Sequence, residues 1–175
     1  IMIINKLDKF GSNANLLILF LILCVCAIFV SPAFLDFNNI QNIIRTVMVL
    51  GIIAFGMTMV MILGEIDLSV GSIAAFSCAF GGMFVDSNSS FLVITLTLAA
   101  GLFCGLINGI GVALIKVPSL IMTLGTMAII RNVGYIMTKG QAAYPTKLDM
   151  YMSTAKGYVG IIPIPIIIFI IISII

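Results

Sequence analysis

Histidine and tryptophan are absent from this sequence, and charge is scarce: 8% of its 175 residues are Asp, Glu, Lys or Arg, where a soluble domain carries about 25%. Without histidine there is no Ser-His or Cys-His pair to activate a nucleophile, and the commonest metal ligand is missing. No G-x-x-x-x-G-K-[ST] run occurs, so the chain carries no phosphate-cradling loop. The basic residues are scattered and the formal charge is only +2, which leaves no basic stripe for nucleic acid. The four cysteines, Cys24, Cys26, Cys78 and Cys104, all lie in apolar runs without metal or redox spacing and read as packing thiols. These absences leave no catalytic residue, metal site or cofactor to nominate. What is abundant is apolar surface, 62% of the chain, and the composition is that of a membrane protein.

A membrane-crossing helix needs about 20 mostly apolar residues, and six stretches qualify as candidates. They cover about 16–35, 44–63, 67–85, 91–115, 119–137 and 161–175. The fold class expected is therefore all-α, a polytopic transmembrane helical bundle with about six membrane segments in one domain, 1–175. The polar stretch Asp36-Phe-Asn-Asn-Ile-Gln-Asn42, followed by Ile43 and Ile44, has apolar residues at helical spacing and suggests a short interfacial helix. The longest polar segment, Thr138 to Gly160, places Tyr144, Tyr151 and Tyr158 where a ring and a hydroxyl favour the membrane interface. Lys6 and Lys9 before the first apolar run favour a cytoplasmic N-terminus, although the remaining basic residues fall on both sides.

Within this setting Gly64-Glu-Ile-Asp-Leu-Ser-Val-Gly-Ser72 stands out, because two carboxylates lie between two apolar runs. Gly64 can end a helix. Asp67 and Ser69 are both good N-caps for the next one, and Asp67 is the residue expected to cap the third segment, where a carboxylate meets the positive helix end. Glu65 is expected nearer water. The pair could in principle serve as acid and base or bind a cation, but no partner residues accompany it. In the fourth segment Gly101, Gly105 and Gly109, with Ala113, recur every four residues and suggest a smooth face for helix packing. Asn108 needs a partner, on another helix or on a passing polar solute. Arg131 falls inside the fifth segment, where a charge costs about 2.5–3.5 kcal/mol on insertion scales. It must snorkel, pair within the protein or face a polar pathway.

These motifs resemble those of ribose-type ABC importer permeases. Gly64 to Ser72 is similar to the signature stretch of that family. Three further blocks follow in the same order: Asn108-Gly-Ile-Gly-Val-Ala-Leu-Ile-Lys-Val-Pro-Ser119, Thr123-Leu-Gly-Thr-Met-Ala128 running on to Arg131 and the Thr138-Lys-Gly-Gln141 turn, and Gly160-Ile-Ile-Pro-Ile-Pro165. The resemblance implies a multi-pass protein of the bacterial inner (cytoplasmic) membrane, embedded in lipid. It implies a second permease subunit, a separate ABC ATPase subunit and a periplasmic sugar-binding protein as partners, with a monosaccharide as cargo. Members of that family are roughly twice as long, so a C-terminally truncated permease domain is expected. The rival readings are a small membrane scaffold or assembly subunit without its own path, and a secondary transporter. No carboxylate pair lies within a helix to couple ions for the latter.

Overall fold

The computed structural model describes residues 2–85, 89–141, 153–154, 156–160 and 162–174; for residues 2–13 it describes the backbone alone. Six helices are present among them: α1 Met2–Val30, α2 Phe37–Ile62, α3 Val70–Gly82, α4 Ser90–Ala113, α5 Ser119–Met137 and α6 Ile164–Ile174. A 3-10 turn, Pro32–Leu35, follows α1, and two short strands, β1 Tyr158–Val159 and β2 Ile162–Pro163, precede α6. The all-α class expected from the sequence holds, and the hairpin is the exception to it. Three helices, α2, α4 and α5, are long and apolar enough to cross a membrane, while Ala14–Val30, α3 and α6 are shorter apolar helices.

The chain divides into two compact units, residues 1–44 and 45–175, and the division falls within α2. In the first unit α1 stops just before Ser31-Pro32, as the proline requires. The separate interfacial helix expected over residues 36–44 is not found, because this stretch forms the opening turns of α2. The cause is Asp36. Its Oδ1 accepts the Asn38 backbone N–H at 3.2 Å, so a capped helix starts seven residues before the apolar run does. Asn39 Nδ2 donates to the Phe34 carbonyl at 2.9 Å and fastens the 3-10 turn to it.

In the second unit α3, α4 and α5 pack against one another. Their shared interior is more polar than apolar. Ser69, Ser77, Asn108 and Thr123 are buried there with Val93 and Cys104, while Leu98, Leu102, Phe103 and Ile121 point outward. This inversion suits lipid, which gives helices no hydrophobic reason to associate and leaves small residues and hydrogen bonds to do so. The close approaches come at Gly81, whose missing Cβ makes room for Thr97 and the Val93 carbonyl, and at Gly111, where a Cβ would lie 2.6 Å from Met122 Cε. Gly101 contributes a third, 3.3 Å from Ser77 Oγ.

The packing role expected for Gly105 and Gly109 is not found among the described residues, since a Cβ at either would meet none of their atoms within 4 Å. A stripe repeating every four residues drifts by about 40° per step around a helix of 3.6 residues per turn. From Gly101 it has rotated off the interface by Gly109. The buried seam instead steps by four and three through Cys104, Asn108 and Gly111.

The ends of α4 and α5 agree with the sequence reading. Ser89 caps α4 by accepting the Leu92 N–H at 3.3 Å. The third segment does not start near Asp67. α3 begins at Val70 and has 13 residues, about 20 Å of helix at 1.5 Å per residue, less than the membrane's apolar thickness of about 30 Å. The sixth begins with the hairpin, in which Tyr158 pairs with Pro163 and Val159 with Ile162. Pro165 falls in the first turn of α6, where its lack of an N–H does no harm. Arg45, near the start of α2, holds the hairpin: its guanidinium carbon lies 4.7 Å from the Tyr158 ring centroid, and Nη2 donates to the Lys156 carbonyl at 3.2 Å. Phe169 of α6 lies against Phe55 of α2 with centroids 5.5 Å apart. Tyr144 and Tyr151 lie outside the described residues.

Candidate functional site

The centre of the second unit is the break between α2 and α3, the stretch that carries the two carboxylates. Gly64, at φ +77°, ends α2 in a Schellman motif: its N–H reaches the Met61 carbonyl at 3.0 Å, and the Glu65 N–H reaches Val60 at 3.2 Å. Residues 65 to 68 are then non-helical, and their backbone needs partners because lipid supplies none. α5 provides them. Ser119 Oγ accepts the Ile66 N–H at 3.3 Å, and Thr123 Oγ1 accepts the Leu68 N–H at 3.2 Å while donating to the Ile66 carbonyl at 3.5 Å.

Asp67 does not cap α3 itself; Ser69 occupies the cap position. Asp67 Oδ1 instead accepts both the Ser69 N–H, at 2.7 Å, and the Ser69 hydroxyl, at 2.6 Å. The reason is geometric: the side chain of residue 67 closes an Asx turn two residues on, and helical dihedrals begin after it. Ser69 Oγ in turn accepts from Asn108 Nδ2 at 2.7 Å. A polar string thus runs from the α4 amide through the Ser69 hydroxyl to the Asp67 carboxylate, and Ser69 is fully buried. The Asn108 side chain is 5% exposed. Its Oδ1 has no hydrogen-bond partner among the described residues.

Two clefts flank this break. The smaller, about 230 Å³, is lined by Glu65, Ile66 and Asp67 from the break, by Gly105, Asn108 and Gly109 from α4, and by Ser119 and Thr123 from α5. Gly105 and Gly109, expected at a helix interface, are here part of a cleft wall. The larger, about 540 Å³, lies between α3 and α5 and is lined by Ser72, Ala75, Phe76, Arg131, Tyr135 and Thr138 among others. Arg131 therefore lines a cleft instead of being packed between helices. The structure brings Glu65, Asp67, Ser69 and Asn108 together, and sets Arg131 in the second cleft. Ser119, Thr123 and Tyr135 were not singled out from the sequence. Ser119 and Thr123 are four apart, as are Arg131 and Tyr135, and this spacing of polar groups along one face of an apolar helix was the available signal.

The family model described as branched-chain amino acid transport system / permease component matches residues 39–175. Among curated proteins the chain is similar to the ribose import permease protein RbsC of Haemophilus influenzae, 36% identical over 92% of this chain and 51% of that protein. It is 35% identical to the ribose import permease protein RbsC of Bacillus subtilis, over 91% of this chain and 49% of that protein. It is 32% identical to the L-arabinose ABC transporter permease protein AraH of Azospirillum brasilense, over 86% of this chain and 44% of that protein. The chain spans about half the length of these relatives. No solved structure matches it.

Proposed function

The chain belongs to the family of branched-chain amino acid transport system permease components, and from that premise we propose that it is the membrane-spanning permease subunit of a bacterial ABC importer for a monosaccharide such as ribose. In this reading it lies in the cytoplasmic membrane. It works with a second permease subunit, a separate ABC ATPase and a periplasmic sugar-binding protein. The sugar cargo is favoured over an amino acid by the names of the relatives, which are permeases for ribose and arabinose.

The observation that carries the reading is the larger cleft, with Arg131 of the membrane-length helix α5 on its wall. A charge at that depth is expensive unless protein or water surrounds it. A scaffold subunit has no need for such a cleft, whereas a translocation path for a polar solute does. The absence of a phosphate-binding loop in this sequence fits a division of labour in which a partner hydrolyses ATP.

The test is uptake of radiolabelled ribose, arabinose and leucine in a permease-deleted strain that supplies the ATPase and binding protein. The full-length permease carrying this chain should restore energy-dependent uptake of a monosaccharide. Restoration of leucine uptake alone, or of neither, overturns the reading.

A further inference from the structure

We propose that Arg131, with Tyr135 and Ser72, forms the subsite that recognises an adjacent pair of hydroxyl oxygens on the sugar, and so sets which monosaccharides pass. The proposal deepens the permease reading above and rests on it. Arg131 and Tyr135 are one turn apart on α5, and Ser72 and Phe76 are one turn apart on α3; all four line the cleft of about 540 Å³. Gly134 faces Phe76 across the two helices, where a Cβ would make an ordinary contact at 3.7 Å from Phe76 Cδ2. The Phe76 ring is further held by stacking on Phe80, at 6.1 Å between centroids.

The charge balance of the cleft identifies the ligand chemistry. Among the described residues no carboxylate lines it, for Glu65 and Asp67 line the smaller one. The guanidinium has only donors to offer, in a planar fork that suits two oxygen acceptors side by side. The Ser72 and Tyr135 hydroxyls can donate or accept. Two rings, Phe76 and Tyr135, add apolar faces. An inorganic anion would use the fork but not the rings. A sugar ring uses both, through its hydroxyl edge and its C–H face. A cation is excluded by the arginine.

The experiment uses the full-length permease with its ATPase and binding protein in proteoliposomes. The probes are D-ribose, 2-deoxy-D-ribose and 3-deoxy-D-ribose. Any adjacent pair among the oxygens on C1 to C4 includes C2 or C3, so one deoxy sugar must lose a contact. The binding protein is the same for every variant, so a change in preference belongs to the permease. In Arg131→Lys, which keeps the charge but loses the fork, kcat/KM for ribose should fall about tenfold or more. Uptake of at least one deoxy sugar should fall much less, so the preference for ribose over that sugar should shrink. Tyr135→Phe should shift the preference in the same direction by a smaller factor.

Equal losses for all three sugars in both variants would mean a structural role and would overturn the proposal. So would unchanged uptake in Arg131→Lys, the result expected of an arginine that only reaches for lipid headgroups. If the wild-type system carries no monosaccharide, the permease reading fails first and the subsite falls with it.

Discussion

Replacing Ser69 by alanine should harm stability far more than replacing Asn108 by leucine, although the two residues share one hydrogen bond of 2.7 Å. In Ser69→Ala the Asn108 amide loses its donor contact, and Oδ1 already has no partner among the described residues. A hydrogen bond between membrane helices contributes about 0.6 kcal/mol on average, and a buried polar group left unsatisfied costs about 1–3 kcal/mol. Together these give a loss of about 1.5–3.5 kcal/mol. Asn108→Leu loses the same bond but also removes the orphaned oxygen, while the Ser69 hydroxyl keeps Asp67 at 2.6 Å. Its net effect should lie near zero. The double variant should be more stable than Ser69→Ala alone, by about 1 kcal/mol or more. The assay is SDS titration of the purified full-length protein in mixed micelles, followed by far-ultraviolet circular dichroism. If Asn108→Leu proved as damaging as Ser69→Ala, Oδ1 would have a partner and the reasoning would be wrong.

The same titration tests the helix seam: Gly111→Leu should cost about 1–3 kcal/mol through its clash with Met122, and Gly105→Leu no more than about 0.5 kcal/mol. Thr123→Val should destabilise by about 1–3 kcal/mol, because it strands the Leu68 N–H, and Thr123→Ser should restore most of the loss. Asp67→Ala should lower both stability and uptake by the full-length permease, whereas Asp67→Asn should be milder because its carbonyl can still accept from Ser69; equal behaviour of Asp67→Ala and wild type would contradict the turn described here. Gly64→Ala should cost about 1–2 kcal/mol, read in the same way, since φ +77° disfavours any Cβ.

Some of this was legible in the sequence. Helices α4 and α5 were, because each is a single apolar run bounded by a serine that can start it and a polar turn that ends it. The break at Gly64 to Ser69 was legible too, since carboxylates between apolar runs have few other uses. Which residue takes which job there was not. Asp67 and Ser69 are both competent caps, and only the path of the backbone decides between them. The glycine stripe misled because a repeat of four was counted without its angular drift. The 158–163 hairpin was hidden by its surroundings: two residues per strand are too few for alternation to show. The grouping of Asn108 with Ser69, 39 residues earlier in the chain, is a tertiary fact that no local pattern encodes.

The bonds that fasten the break have a mechanical side. Ser119 and Thr123 tie it to α5 through its own backbone, at three points. Among the described residues α4 reaches it by one side-chain hydrogen bond, from Asn108. The backbone of the break is thus held by α5 and the Ser69 hydroxyl by α4, so a displacement of either helix would have to replace these bonds with others. Gly111 against Met122 keeps α4 and α5 in register beside the break.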